Sequence, residues 1–158
     1  MSYKNFKEAL ELAKELPDYK VYDTCSDKAM DELEDYLGFE LSKQHYEFLK
    51  MGALEVWGYE FSENNKNSHD LHPDIIFDFE WNKKNKFIID KGYVPILEED
   101  EWTNYLNYNK LTKEGEPTVV YAFPSPEEFI IFEQTNQDLG DFLLKLFNEI
   151  KKDLDEDE

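Results

Sequence analysis

The sequence predicts a single α+β domain with N-terminal helices, an antiparallel β-meander and a C-terminal amphipathic helix. Three observations carry that prediction. Apolar residues recur at helical steps near both ends of the chain, the spacing changes to strand-like runs from Leu54 onward, and no repeat or internal linker divides the whole. At 158 residues, 41% of them hydrophobic, the chain can fill one core, and a second domain is not expected. Residues 1–152 are assigned to the domain and residues 153–158 to an acidic solvated tail.

In YKNFKEALELAKELP, Phe6, Ala9, Leu10, Ala13 and Leu16 make one apolar stripe on a first helix, which Pro17 stops because proline cannot supply an interior N–H. In SDKAMDELEDYLG, Ser26 or Asp27 is the N-cap of a second helix. Ala29, Met30, Leu33 and Leu37 are its buried face, and Gly38 takes the left-handed C-terminal position. The stretch LGFELSKQHYEFLKMG then turns a corner. Ser42 caps a third helix, Leu41 and Tyr46 form a hydrophobic staple across the cap, Phe48 and Leu49 reach the core, and Gly52 ends the helix. His45 stands where a full capping box has Glu or Gln, so the cap is half made.

LEVWGYEF reads as one strand with Leu54, Val56, Gly58 and Glu60 on one face and Glu55, Trp57, Tyr59 and Phe61 on the other. SENNKNSHDLHP is a polar loop. PDIIFDFEWNKKNKF suits a helix, with Pro73 at its first position, and its β-branched and aromatic content also suits a strand; helix is preferred over Ile75–Trp81. YVPIL with EEDEWTNYLNYN, then PTVVYAF, then EEFIIFEQ supply the meander, separated by NKLTKEGE and PSP. In DLGDFLLKLFNEIKKDL, Leu139, Phe142, Leu143, Leu146, Phe147, Ile150 and Leu154 form an apolar stripe on the last helix.

Charge narrows the function. The chain has 37 acidic residues against 17 basic ones, all of them lysine, for a formal net charge of -20. Such a surface repels phosphate backbones and anionic lipid, so nucleic acid and membranes are not expected partners, whereas a basic protein is attracted over a long range. No basic-then-apolar leader opens the chain, and no apolar run approaches the ~20 residues that span a bilayer, so a cytoplasmic location is expected. Cys25, the single cysteine, reads as a small apolar residue in a reducing compartment.

The order of elements resembles the SUKH superfamily, the Smi/Knr-type domain, over nearly the whole chain. The marks are LEDYLGFELSKQHYEFLKMGALEVWGYEF, which is similar to that family's helix, apolar corner, helix and aromatic strand; GYVPILEEDEWTNYLNYN, similar to its strand pair around an acidic turn; and PTVVYAFPSPEEFIIFEQTNQDLGDFLLKLFNEI, similar to its last strands and helix. Ser42 stands where the family usually has proline, and Met51-Gly52-Ala53 replaces a glycine-rich turn. The resemblance implies a binding module and not an enzyme. Its bacterial members are commonly immunity proteins that neutralise a toxin domain, often a nuclease, and its fungal members are regulatory scaffolds. The expected function is therefore an immunity protein, or antitoxin, that binds a cognate and basic toxin. The alternative is a regulatory or scaffold interaction domain without a toxin partner.

Residues with possible chemistry fit that expectation. His69, Asp70 and His72 lack a third ligand and a helical spacing, so no metal is expected, and no cofactor either, since no glycine-rich phosphate loop is present. Glu98, Glu99, Asp100 and Glu101 have no nearby base, nucleophile or oxyanion donor, so they are read as carboxylates that occupy the cationic site of a partner. Trp102, Tyr105 and Tyr108 are the aromatic anchors beside them, with Trp57 and Tyr59 of the preceding strand as further contacts. Trp102, Asn104, Leu106 and Tyr108 alternate with Thr103, Tyr105 and Asn107, and either side could face solvent.

Overall fold

The computed structural model describes residues 2–21, 24, 26–51, 54–61, 87–99, 102–124 and 129–156. Helix α1 (Ser2–Ala13) buries Phe6, Ala9 and Ala13 as its stripe requires. It ends short of Pro17, since Leu16 N–H already donates back to Ala13 in a tight turn, yet Leu16 stays buried. Helix α2 (Asp27–Leu37) has Ser26 as its cap, the hydroxyl accepting from Ala29 N–H, and closes on Gly38 at φ 84°. Helix α3 (Lys43–Lys50) is capped by Ser42, which accepts from His45 N–H. Leu41 is buried in the cluster against which Tyr46 packs, and its N–H donates to Glu34 of α2 at 2.7 Å, so the corner is held by apolar and polar contacts together. Met51 caps the C-terminus of α3; Gly52, Cys25, the loop around His69 and the segment Ile75–Trp81 lie outside the described residues.

Among the described residues, seven antiparallel strands pair with their sequence neighbours: β1 (Lys20–Val21), β2 (Leu54–Val56), β3 (Tyr59–Phe61), β4 (Tyr93–Glu99), β5 (Trp102–Leu111), β6 (Pro117–Pro124) and β7 (Phe129–Gln134). The expected single strand over LEVWGYEF is a hairpin instead. Trp57 and Gly58 both have positive φ, 50° and 85°, the conformation of a two-residue primed turn whose twist suits antiparallel strands. Leu54 then pairs with Phe61 and Val56 with Tyr59, so Phe61 shares the buried face of Leu54 and does not oppose it. The run from Tyr93 to Asn109 likewise divides into β4 and β5, with Glu99 opposite Trp102.

The last helix, α4 (Leu139–Glu156), packs with α1 on one face of the sheet, over Leu54, Val56, Phe61, Leu97, Leu106 and Val119. A helical turn at 87–90 covers the opposite face, where Ile88 meets Tyr105, Val120 and Ala122. α4 includes Asp153 and Leu154 of the expected tail and continues to Glu156. Gly140 sits where α4 begins, so close to α1 that a Cβ there would lie 2.8 Å from the backbone nitrogen of Phe6. Gln44 ties three elements together in this corner. Its amide nitrogen donates to Asp138, its amide oxygen accepts from Gly140 N–H at 2.7 Å, and its backbone N–H donates to Glu116. Among the described residues no helix is long and apolar enough to cross a membrane.

Candidate functional site: an aromatic row with acidic flanks

In a meander the connections β2–β3, β4–β5 and β6–β7 all fall at one end of the sheet. That end collects several of the expected contact residues. Trp57 stands at the β2–β3 turn, 46% exposed, with its N–H fixed to Pro17. Tyr59 on β3 is half-buried. Its hydroxyl is pushed above its ordinary range first by burial and then by the negative field of Glu99, Glu149 and Asp153. Glu99 lies opposite Trp102, and its carboxylate accepts from the buried Asn104 amide at 2.9 Å, so one oxygen is held in place.

Trp102 is the centre of a cluster that the sequence reading did not assemble. Its ring stacks on Tyr121 at 5.5 Å, meets Phe123 edge-on at 5.7 Å and Phe132 at 5.2 Å. Phe123 in turn pairs with Ile130, which is 44% exposed. The row therefore runs across β5, β6 and β7 on the face that carries α4. A bulge builds its outer edge. Tyr121 pairs with Glu133 and Ala122 with Ile131, leaving Phe132 with no residue opposite it. Two residues of β7 then face one of β6, which brings Phe132 onto the same side as Tyr121 and Glu133. Phe132 is 67% exposed, the most exposed large apolar side chain among those described.

The rest of the expected set divides. Glu98 is a β4 residue paired with Thr103, while Asp100 and Glu101 lie outside the described residues. Tyr105 must be withdrawn as a contact. It is 1% exposed, on the opposite face, with its ring edge-on to Phe129 at 5.2 Å. Tyr108 is set apart from the Trp102 cluster. It lies six residues farther along β5, about 20 Å away at the strand rise of ~3.3 Å, and its hydroxyl is committed inside the protein. That hydroxyl accepts from Ser42 N–H and lies 2.7 Å from His45 Nδ1. Burial raises it above its ordinary range, so it stays protonated. We assign its proton to the bond with Nδ1, which leaves the His45 proton on Nε2, an atom without a hydrogen-bond partner among the described residues. This pair holds the α3 corner to the sheet.

Among the described residues no three His, Cys, Asp or Glu side chains are grouped as a metal would need. A groove between α1 and α3 gathers Lys7, Lys14 and Lys50, but each stands beside a carboxylate: Glu47 at 3.9 Å, Glu11 at 3.1 Å and Asp27. The groove is electrostatically compensated, whereas the aromatic row has acids at both flanks. A scan against protein-family models matches none of them, and no curated protein matches the chain.

Proposed function

We propose that this protein is an immunity-type binding module that neutralises a basic toxin domain, a nuclease, by direct contact at the aromatic row. One observation carries the reading: a row of half-buried rings, Trp102, Tyr121 and Phe123, ending in the exposed Phe132 and flanked by Glu99 and Glu133, on a chain of net charge -20. Binding energy concentrates in a few aromatic anchors, each worth about 2 kcal/mol or more, while the surrounding charge selects the partner and speeds encounter. A nuclease holds phosphate with Lys and Arg, so its active site offers the complementary field. The order of sequence elements described above, which resembles a family rich in immunity proteins, supports the same reading.

The test is capture followed by a growth assay. The immobilised chain is exposed to native lysate at low salt, and the bound protein is identified by mass spectrometry and then expressed alone and with the chain. The expected partner is basic, arrests growth alone, and is harmless when co-expressed. Protection is expected to fail in the Trp102→Ala, Phe132→Ala double variant. A partner harmless by itself would move the reading to a regulatory scaffold, and arrest that the chain does not relieve would overturn neutralisation.

A further inference from the structure

Resting on the proposed binding function, we infer that the aromatic row is a guanidinium site: it takes an arginine side chain of the basic partner in preference to lysine. Three features of the row support this. The rings of Trp102, Tyr121, Phe123 and Phe132 lie within 6 Å of their neighbours and span three strands, which makes a broad π surface and not a single ring. Carboxylates flank that surface on both sides, Glu99 opposite Trp102 and Glu133 opposite Tyr121. Glu99 accepts a hydrogen bond from the Asn104 amide, which orients its carboxylate.

A planar, weakly hydrated guanidinium can stack on rings and donate two parallel N–H bonds to a carboxylate at once. An ammonium is a strongly hydrated point charge and does one at the expense of the other. Charge complementarity therefore selects a basic occupant, and shape selects arginine within that class. A second copy of this chain cannot fill the role, because it has no arginine and adds its own net charge of -20.

The experiment titrates the intact chain with arginine and lysine homopeptides of equal length while following the indole N–H resonances by NMR. The arginine peptide is expected to bind roughly tenfold tighter and to shift the Trp102 signal. Phe132→Ala, a change at an exposed side chain that leaves the core intact, is expected to bring the two affinities together. Glu133→Gln is expected to weaken the arginine peptide more than the lysine peptide. Equal affinities in the parent chain, or an arginine preference that survives both substitutions, would overturn the inference. The two proposals fail separately. An arginine preference in the parent chain that both substitutions abolish, with no growth protection, removes neutralisation alone, and growth protection by a parent chain that binds the two peptides equally removes the guanidinium site alone.

Discussion

His45 concentrates the residue-scale physics. It is fully buried, and burial lowers its pKa from 6.5 to about 3. Between those values the unfolded chain binds a proton that the folded chain refuses. Stability is therefore fully present above about pH 6.5 and is lost as pH falls toward 3, at up to about 1.4 kcal/mol per pH unit. Glu116 works against this, since burial raises its carboxyl and the folded state then takes a proton more readily than the unfolded one. Urea titrations across this window should show the loss in the parent chain and a flatter profile in His45→Gln; equal slopes would acquit the histidine. Nothing local in KQHYEFLK announces this burial. The sequence does mark His45 as the third residue after the Ser42 cap, but its environment is made by Tyr108, which arrives from another part of the chain.

At the scale of elements, close approach and turn geometry decide. Alanine at Gly140 would place a methyl 2.8 Å from the α1 backbone, so the α1–α4 contact must open, and Gly140→Ala should cost about 1–3 kcal/mol, read as a lower urea midpoint with an unchanged slope. An unshifted midpoint would mean that α4 can slide without loss. At the β2–β3 turn the opposite sign is expected. Trp57 holds a positive φ that Asn adopts more readily, so Trp57→Asn should raise stability by up to about 1 kcal/mol while weakening partner binding. If both quantities fall, Trp57 is part of the fold and not of the contact. The same residue explains what was and was not legible. Caps are local chemistry, so Ser26, Gly38 and Ser42 could be read directly, and the stripe of α4 is a plain period. A tryptophan at a left-handed position is not a turn signal, so LEVWGYEF reads as one strand although it folds as a hairpin. The aromatic row escaped for a related reason: Trp102, Tyr121 and Phe132 are distant in sequence, and they meet only once pairing register and the β7 bulge are known.

For the whole molecule, charge and area separate steering from contact. A chain of this size exposes roughly 8,000 Å² and a standard interface takes only about 800 Å², so most of the -20 lies outside any contact patch. Association with the basic partner should slow steeply as salt rises, while dissociation changes little. Stopped-flow mixing across a salt series checks this, and a dissociation rate that follows salt as strongly as the association rate would place the charge in the contact. Truncation after Leu154 should reduce only association, whereas Asp153→Asn, which removes a charge whose field reaches Tyr59, should also hasten dissociation. The bulge at Phe132 has a separate consequence at this scale. β7 is the last strand of the sheet and carries Ile130, Ile131 and Phe132 in succession, all exposed, with no lysine or proline to guard them. A straight edge of that composition would invite copy after copy to add on and grow a filament. The unmatched residue interrupts the β6–β7 register after three paired residues and bends the strand, so the outer edge of β7 is not the long, straight template that a further copy would need.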